Sequence, residues 1–399
     1  MRRGVGGGGL MTAVGLVLLA TPGVSWGRQV DAQALDEIIV TARKRSETLV
    51  EVPSAISAIT AEERRNLVLD GMKDYLRQAP SATLVTSGPE YLQDISIRGQ
   101  GSGRLGFSEA ATGLYKDGLY NAGGGFGGRS LSRMDLLDIE RLEVLRGPQG
   151  ALYGRNSVGG AVNIVGRAPD QTLGGSLTAR YSQPERASIE AVVNLPLAAD
   201  KLALRVAGLY DHQSGGFTKN QATGHDLDWQ TYEGLRAGLR WTPGSATTVD
   251  LTYERYESDT PAFSSLARRA VRVDGSVLDP SRWTRADLDR EGRANITEDS
   301  VYLTAKREFG FADLTAKVGW KTRDAGRTNE DNDHYAGHSG IDVAPGAAVL
   351  TPDYTVGQFE DYSRFVAQAY LSSNGEGRLT WLAGVEFLST SDDVVIDPY

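Results

Sequence analysis

From residue 173 onward the chain alternates. Val249, Leu251 and Tyr253 interleave with Asp250, Thr252 and Glu254, and Leu379, Trp381, Ala383, Val385 and Phe387 interleave with Thr380, Gly384 and Glu386. Successive side chains of a strand point to opposite faces, so a period of two predicts strands with one apolar and one polar face. Nine such strands are predicted, near 174–183, 186–197, 201–211, 231–243, 246–257, 298–308, 311–323, 358–372 and 377–390. Their connections differ in length: 184–185, 198–200, 243–245, 310 and 373–376 are short, whereas 212–230, 258–297 and 324–357 are long and polar. Short turns at one end and long loops at the other are the pattern of a transmembrane barrel. A water-soluble antiparallel sandwich alternates in the same way.

Before this region the pattern is different. Between Leu35 and Pro169 short β-like runs mix with one helical stretch, Ala61 to Arg77, and with turns at Gly99, Gly101, Gly103, Gly118, Gly147, Gly150, Gly154, Gly159 and Gly160. That mixture predicts a compact α+β domain over 46–170, followed over 171–399 by an antiparallel transmembrane β-barrel, so the fold class is mainly β. Single-chain bacterial barrels have even strand numbers, and closure is what removes unpaired edges. Nine strands therefore read as an incomplete barrel, with Asp392 to Tyr399 opening a further long loop.

At the N-terminus, Arg2 and Arg3 precede the apolar run Leu10 to Ala20, and small residues follow at 24–27 and 32–34. This is the pattern of a secretory signal peptide, assigned to 1–34, and the apolar run is only about half of the roughly 20 residues a membrane-spanning helix needs. The chain is exported. It is then either soluble or a barrel, because open sheets and irregular loops cannot face lipid.

Composition narrows the chemistry. The chain has no Cys, which excludes thiol catalysis, cysteine-held metals and disulfides. Against 42 Lys and Arg stand 51 Asp and Glu, a formal charge of -9 that offers no footprint for nucleic acid. Gly101, Gly103 and Gly106 match a dinucleotide fingerprint by letter, but no helix-forming stretch follows them. Gly147 to Gly154 lacks the Gly-Lys-Ser/Thr of a phosphate loop. His334 and His338, with Asp331 and Asp333, lie in a long polar loop and are read as solvated rather than as a metal site. No catalytic residue, metal site or cofactor is predicted.

Asp36-Glu37-Ile38-Ile39-Val40-Thr41-Ala42 is a short extended segment with a β-branched centre, followed by Arg43, Lys44 and Arg45. Such a segment can add as a strand to a partner's sheet edge, or serve as the first strand of the domain behind it. Further on stand Val52-Pro53-Ser54-Ala55-Ile56-Ser57, Ile95-Ser96-Ile97-Arg98-Gly99 and Leu114-Tyr115-Lys116-Asp117-Gly118. The longest motif runs from Asp138-Ile139-Glu140-Arg141-Leu142-Glu143-Val144-Leu145-Arg146-Gly147-Pro148-Gln149-Gly150 through Ala151-Leu152-Tyr153-Gly154 to Gly159-Gly160-Ala161-Val162-Asn163-Ile164. In this order the motifs resemble the TonB-dependent outer-membrane receptors, with 36–42 as the TonB box in a linker over 35–45, and 46–170 as the plug that fills the barrel.

The resemblance implies a location in the outer membrane, in contact with its lipid, and TonB-dependent uptake of a scarce extracellular solute such as a metal chelate, with an iron-siderophore complex as the default. It implies that Asp36, Glu37, Ile38, Ile39, Val40, Thr41 and Ala42 bind a TonB-type energy-transducing protein in the periplasm. It also implies that plug loops 101–107 and 120–126 face the solute, through Arg104, Phe107, Tyr120, Asn121 and Phe126. Arg98, Glu140, Glu143 and Arg146 are expected at the plug-to-barrel contact, where paired charges would keep the plug seated yet removable; the alternative for these is a solvated strand edge. The competing reading of the whole chain is an exported signal-transducing or adhesive binding protein, or a non-functional fragment of a receptor.

Overall fold

The computed structural model describes residues 38–41, 44–45, 47–52, 54–86, 93–101, 110–121, 136–154, 156–220, 223–262, 285–286, 291–330, 355–374 and 379–398. The predicted signal peptide lies outside them. Two short strands, β1 (Ile39–Val40) and β2 (Glu47–Thr48), pair antiparallel at the N-terminal end.

The plug follows. Strand β3 (Ile56–Thr60) leads into α1 (Ala61–Leu67), where Thr60 and Glu63 close a reciprocal capping box that satisfies two end groups of the helix. The single predicted helix over 61–77 is in fact two. Val68 takes a left-handed conformation (φ 52°) as the cap of α1, and Gly71 caps the start of α2 (Met72–Gln78). The break has a packing reason: α1 buries no residue, whereas the redirected α2 turns Met72, Tyr75 and Leu76 into the core. A hairpin of β4 (Ala82–Thr86) and β5 (Gln93–Ile97) follows, then β6 (Thr112–Lys116), β7 (Leu119–Tyr120), β8 (Ile139–Arg146), the short α3 (Gly150–Tyr153) and β9 (Gly160–Gly166). These build a five-stranded sheet in the order β3-β8-β9-β6-β7, with β6 and β9 parallel. Ile97, Leu114, Tyr115, Leu142, Val144, Leu145, Val162 and Ile164 form its core. Gly160 is needed where β9 crosses β8, since a Cβ there would collide with the Leu145 carbonyl.

All nine predicted alternating strands are present: β10 (Gly174–Ser182), β11 (Arg186–Ala198), β12 (Leu202–Gln213), β14 (Gln230–Gly244), β15 (Thr247–Pro261), β17 (Arg293–Glu308), β18 (Ala312–Glu330), β19 (Thr355–Ser373) and β20 (Leu382–Pro398). Between them the two-residue β13 (Lys219–Asn220) and β16 (Arg285–Ala286) pair in parallel, linking two of the long connections. The nine long strands form one antiparallel sheet in chain order, with β10 and β20 as its end strands. Several extend beyond their expected limits at the long-loop end, and the stretch expected to open a loop at Asp392 continues as strand β20 to Pro398. One turn is also at the other end from that expected. Strand direction alternates, so the short turn at 183–185 lies at the same end as the long connections.

The two faces of this sheet explain the alternation. Across eight strands one outward rung reads Leu195, Leu204, Leu239, Leu251, Leu303, Val318, Ala367 and Phe387, each the register partner of the next. Neighbouring outward positions carry Trp241, Tyr253, Trp320 and Phe365, all exposed. The opposite face is polar and largely buried: Tyr256, Glu298, Arg323 and Tyr362, all buried, form one rung that ends at the half-buried Asp392, and the buried Glu254, Ser300, Lys321 and Arg364 form the next. Apolar outside and charged inside inverts the soluble arrangement and is the pattern of a membrane barrel wall, which decides against the sandwich.

Candidate functional site

The N-terminal segment is docked, not free. Val40 is buried and Ile39 exposed, as expected for a strand lying on a surface. The backbone N–H of Thr41 donates to Glu143 Oε1 at 2.8 Å and its hydroxyl to the same oxygen at 3.3 Å, while Arg141 Nη2 donates to the Thr41 hydroxyl at 3.1 Å. Arg141 Nε and Asn163 Nδ2 supply two further bonds to the Glu143 carboxylate, at 2.8 and 3.0 Å. A fully buried carboxylate is costly to leave unpaired, and here four donors satisfy it. Two of those four come from the segment.

The residues behind the segment reach the wall. Lys44 Nζ donates to the Gly118 carbonyl at 2.8 Å and to Gln368 Oε1 on β19 at 3.0 Å, and lies over the rings of Tyr153 and Tyr370 at 5.2 and 5.9 Å. Burial, and then the positive charge of Lys317, bring its ammonium down to about 8 from the ordinary 10.5. Arg45 donates to the Ser373 hydroxyl at 3.2 Å and to the Trp381 carbonyl at 2.5 Å, on either side of the turn between β19 and β20. The segment therefore sits at the short-turn end.

The plug meets the wall through charge. Arg64 makes two bonds to Glu190 on β11 (2.9 and 2.6 Å), Asp138 makes two to Arg205 on β12 (2.6 and 2.7 Å), and Asp70 meets Arg180 and Arg186 at 2.8 and 3.3 Å. Lys116 pairs with Glu254 on β15 at 3.1 Å, Arg364 on β19 donates to Asn121 at 2.9 Å, and Lys317 on β18 donates to the Asp117 carbonyl. Partners on β11, β12, β15, β18 and β19 show that the sheet wraps around the plug.

Among the described residues none of these hydrogen bonds and ion pairs falls on the four residues expected at the contact, although the charge of Glu140 acts on Arg240 of β14 and that of Glu143 on Lys317 of β18. Arg98 is exposed in a left-handed turn (φ 54°), with its guanidinium beside Gly147 within the plug. Glu140 pairs with its neighbour Arg141, Glu143 holds the N-terminal segment, and the backbone N–H of Arg146 bonds to Ala55. Strand β8 lies inside the plug sheet between β3 and β9, and the hydrogen-bond partners of its Arg141 and Glu143 side chains belong to the plug and to the N-terminal segment. The wall is met by α1, by the turns around Asp70 and Asp138, and by the β6–β7 hairpin. Lys116 carried a usable signal, as a charge at the end of the otherwise uncharged strand Thr112–Lys116 whose five residues are all buried; Arg64 and Asp70 carried none.

Of the residues expected to face the solute, Tyr120 and Asn121 are described, and both are buried. The Tyr120 hydroxyl accepts from Asn156 Nδ2 at 2.8 Å, and the Asn121 amide oxygen is held by Arg364. Arg104, Phe107 and Phe126 lie outside the described residues, as do Asp36, Glu37 and Ala42 of the segment and Asp331, Asp333, His334 and His338. Among the described residues no group of three or more His, Asp or Glu is placed to hold a metal ion.

Comparison with known proteins agrees with this geometry. Residues 48–161 match the TonB-dependent receptor plug domain. The pesticin receptor of Yersinia pestis is 30% identical over 289 residues, 69% of this chain and 41% of that protein. The vitamin B12 transporter BtuB of Vibrio vulnificus is 26% identical over 224 residues, 55% of this chain and 35% of that protein. Among solved structures, the ferric yersiniabactin uptake receptor FyuA from Yersinia pestis superposes with a TM-score of 0.69 at 19% identity, over 87% of this chain and 50% of that one. The chain thus spans about two-fifths or less of the curated relatives it matches here.

Proposed function

We propose that this chain, which belongs to the TonB-dependent receptors of the outer membrane, carries the plug and energy-coupling end of an active importer for a scarce metal complex. The observation that carries the reading is the docking of Thr41 on the buried Glu143, at the short-turn end of a wall wrapped around a charge-seated plug. Short turns face the periplasm in outer-membrane barrels, so a periplasmic TonB-type partner would meet the segment there and pair with it edge to edge.

A ferric siderophore is the first candidate solute and a cobalt corrinoid the second. Both are metal complexes, the class shared by the B12 transporter and the yersiniabactin receptor to which the chain is similar. Solute would enter from the long-loop end, and work delivered at 36–42 would rearrange the plug. In cells lacking their own receptor, deletion of 36–42 should leave binding of labelled iron complex intact while abolishing its uptake. Equal uptake with and without the segment would refute the mechanism, and uptake of cobalamin instead of iron would reassign the solute.

A further inference from the structure

Between the plug, the docked segment and strands β14 to β19 lies a cavity of about 670 Å3 at the short-turn end of the wall. Eight Lys and Arg side chains line it against five Asp and Glu. Most of the acids are already engaged: Asp250 makes two bonds to Arg240, Glu140 pairs with Arg141, and the Asp117 carboxylate takes the Gly166 N–H. Asp250 and Glu140, with Glu143 and Glu254, offset the charges of Arg240, Arg141 and Arg236, whereas the positive charge of Lys44 and Lys317 has no carboxylate partner among the described residues.

That charge is concentrated at one point. A carbon placed on Gly118 would lie 3.2 Å from Lys317 Nζ and 3.8 Å from Lys44 Nζ, so the two ammonium groups are no more than about 7 Å apart. Their hydrogen-bond partners are neutral: the Gly118 carbonyl and the Gln368 amide for Lys44, and the Asp117 carbonyl for Lys317. Among the described residues no carboxylate is within ion-pair distance of either. The acids that act on them from further away are Asp117 and Glu143 on Lys317 and Glu386 on Lys44; Asp117 accepts the Gly166 N–H, Glu143 is held by its four donors and Glu386 accepts from Gln368. The depressed titration of Lys44, caused partly by Lys317, is the electrostatic counterpart of this crowding.

Like charges held close in a partly dry cavity repel, and an anion between them adds two attractions at shorter distance that outweigh the repulsion. We infer that Lys44 and Lys317 form a binding site for a small oxyanion, a phosphate or carboxylate group, whose occupancy ties the N-terminal segment to the wall. Lys44 belongs to the segment and Lys317 to β18, so a bridging anion joins what a pull must separate. The anion could be free in the periplasm or be part of the solute on its way through; only the second source rests on the transport reading.

The test uses the chain in detergent at neutral pH and follows amide hydrogen exchange over 38–45. Sodium phosphate is compared with sodium chloride at matched ionic strength. Phosphate at ten times its dissociation constant should slow exchange about ten-fold. Lys317→Gln should abolish the effect, while Lys306→Gln at the exposed rim should keep it. A highly anionic ferric tricatecholate and an uncharged ferric trihydroxamate form the second arm. Slowing by phosphate supports the site with a free anion, and slowing by the tricatecholate alone supports it with a solute-borne one. Equal exchange in phosphate, chloride and both chelates overturns the site, as does a Lys317→Gln protein that responds like the parent. None of these outcomes bears on the deletion of 36–42, which tests transport separately.

Discussion

Lys44 makes the docking of the N-terminal segment depend on pH in a direction opposite to that of an ordinary salt bridge. Docked, its ammonium titrates at about 8; released into water, it returns to the ordinary 10.5. Below pH 8 both states are protonated and docking is insensitive to pH. Between the two values the released state binds more protons, so docking tightens as pH rises, and above the upper value it levels off. The whole interval corresponds to roughly 3 kcal/mol, and the part between pH 7 and 9 to about a ten-fold fall in the undocked population. The chain contains no Cys, so a single spin label can be placed at Ile39, whose side chain is exposed. Its immobile fraction should rise from pH 7 to 9 in the parent and stay flat in Lys44→Met. A fraction that falls or does not change in the parent, or a slope that survives in Lys44→Met, would refute the reasoning.

The same label reads a second perturbation: Glu143→Gln removes the charge that Thr41 and Arg141 share and should loosen docking by about 1 to 2 kcal/mol, seen as a larger mobile fraction at pH 7. At the seam, Asp138→Asn leaves Arg205 without its carboxylate and should cost about 3 kcal/mol, read as a lower midpoint in thermal denaturation followed by circular dichroism. Leu251→Arg places a charge within the outward apolar rung and should cost about 2 to 4 kcal/mol of folding into lipid vesicles, whereas Glu257→Arg on the same strand face beyond the apolar positions should cost far less; vesicle titration with denaturant separates the two. Gly160→Ala should prevent native plug packing, visible as loss of protection of β8 and β9 amides from exchange.

The wall was legible in the sequence because lipid enforces a period of two more strictly than water does. A single polar residue facing hydrocarbon is costly, so rows such as Val249, Leu251 and Tyr253 announce themselves. Strand ends were less legible, since beyond the apolar positions β15 runs on through Glu257 and Asp259, where neither face is apolar enough to mark a limit. The division of the helix over 61–77 was hidden because Val68 in a left-handed turn leaves no local signature, unlike Gly71. At the site, Thr41 was expected to meet a partner protein, and its docking on Glu143 could not be read because the two residues are 102 positions apart. Charges in β8 were visible, but a charge in a strand does not say whether its partner lies in the same sheet, in the segment or on the wall.

The order of the anchors along the segment bears on how a pull would act. Thr41 is held by Glu143, Lys44 by Gly118 and Gln368, and Arg45 by Ser373 and Trp381. Tension applied from the N-terminal side loads these in sequence, so the force to be overcome is set by one anchor at a time rather than by their sum. Once Thr41 has let go, Lys44 transmits load to Gly118, in the turn between β6 and β7. That turn is fastened to the wall by Lys317, and the two-residue β7 ends beside Asn121, which Arg364 holds. A displacement at Lys44 therefore reaches Asn121 through a single short strand. Lys44→Met should leave the segment able to dock through Thr41 but break this mechanical link. Under tension applied to a tethered N-terminus, a label at Asn121 should then move in the parent and remain still in the variant; equal movement in both would place the transmission elsewhere in the plug.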